Sequence, residues 1–175
     1  IENQLDVVHL PFIHAKTIGR GNKTVVDGPV VQWVGDKMLI YVFNRSDDGR
    51  PPLKPGELSA KDATSVHLEF IFPNLWQNYI SERVRILAAF VPVDDDHSLL
   101  YLRFYQKSVR LPILGKLAAR MAMPSNLYIA HEDRKVVITQ QPKTSGLKIG
   151  EVLIQGDLPV IEYRKKRAAL QDLNR

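Results

Sequence analysis

The sequence predicts an α+β domain, in which an antiparallel sheet is curved around long helices. Three observations predict it. The middle of the chain holds short segments in which apolar and polar residues alternate with a period of two, as at Val66, Leu68, Phe70 and Phe72 against His67 and Glu69. The later of these segments follow one another through short connections, so neighbours pair antiparallel. After Arg110 the apolar spacing turns helical, with Leu114, Leu117 and Met121 three and four apart. The chain's 175 residues suffice for one domain with its own core.

Taken in order, Ile1 to His9 reads as a helix that stops near Pro11, because the residue before a proline avoids helical dihedrals. Gly19 and Gly21 mark a loop. Val25 to Val34 and Lys37 to Phe43 read as two strands joined at Gly35-Asp36. Ser46 to Lys61, with Pro51, Pro52 and Pro55, reads as a loop. The strand through Val66 to Phe72 follows. Two more span Glu82 to Val91 and His97 to Tyr105, separated by the acidic turn Asp94-Asp95-Asp96. Beyond Arg110 a helix is expected to be interrupted at Pro124, with a further helix running to about Gln140. Lys143 to Gly150 is a loop, and Glu162 to Leu173 a last charged helix.

Composition excludes several classes. Cysteine is absent, so the chain carries no disulfide, thiolate metal site or iron–sulfur cluster of its own. No apolar run reaches membrane-spanning length; the longest, Ile86 to Val93, is strand-sized. Ile1 is not an initiator and no secretory signal opens the chain, so it is expected to be a cytoplasmic fragment of something longer. The net charge of +5 gathers late, at Arg164, Lys165, Lys166 and Arg167. That run reads as a solvated helical face, or else as a docking patch for an acidic redox partner. Neither a nucleic-acid-binding motif nor a basic surface rich in aromatics is present, so nucleic acid is not an expected partner.

The chemistry concentrates in the opening stretch, ENQLDVVHLPFIH. Asp6 and His9, three apart on a helix, can touch. A carboxylate that accepts one imidazole N–H fixes the tautomer and frees the other nitrogen for a metal. His14 is five residues beyond His9, about 140° away on an unbroken helix. A break at Pro11 allows His14 to fold back beside His9. A third ligand is needed, and without cysteine the candidates are Asp133, Glu132, His131, Asp94 to Asp96, His67 and His97. The acidic turn reads as solvated, and His67 and His97 fall on or near outward strand positions. Asp133 shares a helical face with Ile129, Val136 and Gln140, and an aspartate in an apolar stripe is costly unless a cation compensates it. Glu132 lies to the side of the stripe and is the second choice. Two histidines and one carboxylate with open positions make the facial triad of non-haem Fe(II) oxygenases. Phe12, Ile13, Trp33, Phe43, Phe70, Phe90, Phe104, Met121 and Met123 read as core rather than as a cavity wall, which has the same appearance in sequence.

Asn3-x-x-Asp6-x-x-His9-x-x-x-x-His14 resembles the mononuclear iron motif of the Rieske non-haem iron oxygenase α subunit, C-terminal catalytic domain. His-Leu-Pro-Phe-Ile-His followed by Thr17-Ile18-Gly19 looks most like the branch of the vanillate and dicamba O-demethylases. Glu132-Asp133-Arg134-Lys135-Val136-Val137 is similar to the segment of that branch that bears the carboxylate ligand. The resemblance covers nearly the whole chain. It implies a helix-grip fold, and mononuclear Fe(II) held by His9, His14 and Asp133. It makes Asp6 the carboxylate that bridges to a histidine of a neighbouring subunit's Rieske cluster, which in turn implies a homotrimer when full length. It further implies a small organic substrate (aromatic or otherwise cyclic and hydrophobic), O2, and a reductase or ferredoxin as electron donor. The family's [2Fe–2S] cluster would belong to an N-terminal Rieske domain that this sequence lacks. Residues 1–175 are thus expected to be a single mononuclear-iron domain. Two other functions compete: a helix-grip ligand-binding module without catalysis, which leaves the four motif residues without a joint role, and a zinc hydrolase, for which no His-Glu-x-x-His helix is present.

Overall fold

Gly35 and Asp36 turn the chain between β1 (Val25–Val34) and β2 (Lys37–Arg45), with Val34 opposite Lys37 and Gly35 at a positive φ of 62°. This two-residue hairpin opens a six-stranded antiparallel sheet in simple sequence order. It continues through β3 (His67–Ile71), β4 (Leu75–Ser81), β5 (Val84–Pro92) and β6 (Ser98–Gln106). The computed structural model describes residues 1–19, 21, 23–63 and 67–173. Val66, expected to start the third strand, lies outside them. The chain is α+β, as its periodicities predict.

One strand was not expected. β4 occupies a stretch with little alternation, because polar Gln77 is buried as deeply as its neighbour Trp76. Gln77 Nε2 lies 3.4 Å from the buried Glu69 carboxylate across the β3–β4 ladder, which removes the polar-out signal a half-buried strand gives.

Among the described residues four α-helices frame the sheet: α1 (Glu2–Leu5), α2 (Leu10–Ile13), α3 (Pro112–Val137) and α4 (Leu158–Leu173). Each corrects the reading from sequence. The opening helix does not run to His9. It ends at Asp6, which is extended (φ −68°, ψ 113°), and a second turn begins at His9 with Pro11 in its first turn, where a missing N–H costs nothing. α3 continues through Pro124 rather than stopping there. α4 starts four residues earlier than Glu162, because Pro159 also sits in a first turn.

The core lies under the inner sheet face. Leu5, Met38, Ile40 and Phe70 are fully buried, and the Tyr163 ring of α4 stands edge-on to Phe70 at 5.3 Å. α4 turns Val160, Tyr163 and Arg164 inward at helical spacing. Arg164 is therefore no part of a solvated basic face: it is 3 % exposed and bound to Glu2 and Glu151. Lys165 does pair at the surface with Glu162, whereas Lys166 reaches Asp36 and lies over the Trp33 ring. Of the residues expected in the core, Phe70 is buried, while Phe12 and Met121 are exposed. Ile13, Trp33, Phe43, Phe90, Phe104 and Met123 are half-buried. No helix among the described residues is long and apolar enough to cross a membrane.

Candidate metal centre

The break at Asp6 builds the site. Asp6 Oδ1 accepts hydrogen bonds from the backbone N–H groups of Val8 (2.8 Å) and His9 (3.3 Å), closing a side-chain-capped bend that starts α2 at His9. The sequence reading paired the Asp6 carboxylate with the His9 ring. The structure instead sets the Asp6 backbone oxygen 2.7 Å from His9 Nδ1, with the carboxylate at 3.8 Å. A carbonyl oxygen only accepts, so Nδ1 carries the proton and Nε2 is the free nitrogen.

His14 closes α2 at its other end. One turn of helix, rather than a reversal after Pro11, brings the two rings edge to face with centroids 5.3 Å apart. His14 Nδ1 lies 2.9 Å from Glu132 Oε2, so this nitrogen too donates to an acceptor, and Nε2 points the other way. Thr17 Oγ1 donates to the same Glu132 oxygen at 2.9 Å. Gly19 holds the turn from behind. Its N–H donates to the His14 carbonyl, and a Cβ there would stand 2.3 Å from Leu10 O and 2.9 Å from Pro11 Cα. Only a residue without a side chain fits against that backbone.

Asp133 comes from α3, near its C-terminal end. Its Oδ1 is 3.0 Å from His14 Nε2 and 3.4 Å from His9 Nε2, and Gln4 Nε2 donates to Oδ2 at 3.0 Å. One ligand atom from each of His9, His14 and Asp133 lies within 4.8 Å of the others. Ile129 shares its inward face; Val136 and Gln140, expected on that stripe, are exposed. Burial favours the neutral Asp133 carboxyl, yet His9, the amides of Asn3 and Gln4 and the charge at His14 outweigh it and lower the pKa. Burial likewise opposes charge on His9, but Asp133 and Asp6 raise its pKa. The Glu132 carboxyl is lowered chiefly by its hydrogen bond to His14.

None of the other candidates joins the converging atoms. His67, expected outward, is half-buried, lines the cavity beside the cluster and stacks on Tyr79 at 4.5 Å; His97 is exposed beside Asp94, Asp94 to Asp96 are exposed, and His131 faces solvent. Glu132 is not among the converging atoms. Its place behind His14 was not foreseen, because nothing local in sequence links residues 118 apart.

The donor set suits a divalent first-row cation. With both Nδ1 atoms engaged by acceptors, each neutral imidazole would offer an Nε2 lone pair beside a carboxylate oxygen. Atoms sharing one such cation through bonds of about 2.0–2.2 Å stand roughly 3.0–3.4 Å apart. The two nitrogen–oxygen separations, 3.0 and 3.4 Å, fall there. Beside this cluster opens a cavity of about 450 Å³, walled by Val42, Leu68, Trp76, Ile86, Leu102 and Ile129 and reached by the side chains of Asn44, Asn78 and Asn126. Trp76 belongs to the unexpected strand; none of the phenylalanines weighed from the sequence lines the space.

Residues 1–173 match the family of the vanillate O-demethylase oxygenase C-terminal domain. Among solved structures, the chain is similar to the quaternary ammonium Rieske monooxygenase CntA, crystallised with an inhibitor. The TM-score is 0.55 at 14 % identity, over 95 % of this chain and 44 % of that one. The likeness therefore concerns the fold, and the chain spans less than half of that protein. No curated protein matches the sequence.

Proposed function

The chain belongs to the family of the vanillate O-demethylase oxygenase C-terminal domain, and from that premise we propose that it is the catalytic domain of a Rieske-type oxygenase, with Fe(II) held by His9, His14 and Asp133. The observation that carries this reading is the convergence of His9 Nε2, His14 Nε2 and Asp133 Oδ1 beside an apolar cavity, with both Nδ1 atoms already engaged.

Bound there, Fe(II) would supply O2 activation at positions the protein leaves open. The rest falls to this chain's side chains. The Asp6 carbonyl and the Glu132 carboxylate fix the two imidazole tautomers. Gln4 orients Asp133 through its second oxygen. The aliphatic walls exclude water and press an apolar substrate toward the cluster. Asp6, whose side chain is 34 % exposed, stands between His9 and the surface, where a carboxylate can couple the site to a cluster on a neighbouring subunit. In this reading the whole protein is a homotrimer carrying a [2Fe–2S] Rieske cluster and fed by a reductase or ferredoxin. The substrate is an aromatic or other cyclic hydrophobic compound, hydroxylated, or oxidised at a methyl ether with release of formaldehyde.

The test is anaerobic Fe(II) loading followed by nitric oxide and EPR. Wild type is expected to take up stoichiometric iron and give a high-spin ferrous–nitrosyl signal that Asp133→Ala removes. Absence of iron from the wild type would overturn the reading.

A further inference from the structure

His9 and His14 offer the same nitrogen to the cluster but are backed by different acceptors. Behind His9 the hydrogen-bonded acceptor is a neutral backbone carbonyl at 2.7 Å, with the Asp6 carboxylate farther off at 3.8 Å; behind His14 the hydrogen-bonded acceptor is itself a carboxylate, at 2.9 Å. Glu132 is itself held. Thr17 Oγ1 donates to the oxygen that faces His14, and Thr17 belongs to the turn that the His14 carbonyl closes through the backbone N–H groups of Thr17 and Gly19. Ligand, carboxylate and hydroxyl thus form one closed loop: His14 Nδ1 to Glu132 Oε2, Glu132 to Thr17 Oγ1, and Thr17 back to His14 along the chain. Gly19 leaves this loop no slack, because the atoms facing its missing side chain are backbone atoms of the turn carrying both histidines.

We propose that Glu132, clamped by Thr17, is the positioning residue of the metal centre: it fixes the His14 ring and makes His14 the stronger of the two imidazole donors. This rests on the metal-ligand role given to His14 above. A carboxylate hydrogen-bonded to the remote N–H of an imidazole raises the basicity of the ligating nitrogen, and a carbonyl does so less. The two histidines are therefore electronically unequal, an asymmetry that the ligand set alone does not contain.

The test uses Co(II), whose paramagnetism displaces the exchangeable Nδ1–H proton signals of bound histidines in NMR spectra. Wild type is expected to show two such signals, one per ring. Glu132→Gln keeps the size and one acceptor oxygen but loses the charge. It is expected to move the His14 signal, leave the His9 signal in place and weaken Co(II) binding about 10- to 100-fold. Thr17→Val is expected to do the same more weakly. Unchanged signals and affinity in Glu132→Gln would overturn the proposal, as would loss of both signals together. A metal-free arm separates this proposal from the reading it rests on. In the metal-free chain, 15N spectra are expected to show a proton on His14 Nδ1 whose resonance shifts in Glu132→Gln. An unprotonated Nδ1 there would overturn the positioning role, whereas a wild type that binds no metal would overturn the centre itself.

Discussion

Two clusters of buried polar groups tie the N-terminal segment to helices far along the chain, and they are built in opposite ways. At the first, Arg164 on α4 donates four hydrogen bonds. Nε and Nη2 grip both oxygens of Glu2, at 2.9 and 2.6 Å, and Nη1 bonds Glu151 at 2.5 Å and the Gly146 carbonyl at 3.0 Å. Donors meet acceptors and charge meets opposite charge. At the second, His9, His14 and Asp133 turn electron-pair donors toward one another while the ring protons are spent outward, on Asp6 and Glu132. The first cluster is complete as it stands. In the proposed reading, the second would be completed by a cation. In that reading the difference separates a fastening from a site, although both are made of ionisable residues largely withdrawn from solvent.

The comparison can be broken most severely at the ligands. His14→Ala is expected to abolish stoichiometric Fe(II) binding, read by metal analysis, while Arg164→Met leaves it intact. The next largest effect falls on stability. Arg164→Met strands two carboxylates and is expected to cost about 3–5 kcal/mol in denaturant unfolding, with or without metal. At the second cluster stabilisation depends on the ion. Metal at a hundredfold excess over its Kd is expected to add about 2.7 kcal/mol in wild type and nothing in Asp133→Ala.

Acid sharpens the contrast further. Burial alone would raise the Glu2 pKa, but Arg164, Ser145 and Arg167 hold it below the ordinary value of 4.5. Because the folded-state pKa is depressed, Glu2 contributes stability above pH 4.5, and that contribution is lost as pH falls through the folded value. Tm measured downward from pH 6 should therefore drop more steeply below this point in wild type than in Glu2→Gln. The smallest stability effect belongs to Asp6→Ala. It removes a side-chain cap and should cost about 1 kcal/mol. It should keep much of the iron yet stop NADH-driven turnover in the full-length protein; retained turnover would remove Asp6 from the electron path.

What was legible in the sequence was local or categorical. Asn3, Asp6, His9 and His14 lie within one short stretch, and a break at Pro11 was the signal that let the two imidazoles converge; the structure achieves it with one turn of helix. Asp133 stood out as an acid beside apolar Ile129. Illegible were the facts that depend on a partner distant in the chain. The run from Arg164 to Arg167 reads as a solvated face until Glu2 and Glu151 are seen beside Arg164. Two adjacent acids, Glu132 and Asp133, differ in role only because the phase of α3 points one at the cluster and the other behind His14. β4 stayed hidden because burial of Gln77 against Glu69 erased its alternation. The Asp6 break was masked by Pro11, a signal that ends helices but also starts them.

The most direct test of the centre is a crystal of the chain soaked anaerobically in Fe(II), with diffraction data collected on both sides of the iron absorption edge. A single anomalous peak bonded to His9 Nε2, His14 Nε2 and an Asp133 oxygen, with Glu132 still against His14 Nδ1, is the predicted result. A peak bonded to Glu132, or none at the three converging atoms, would contradict it.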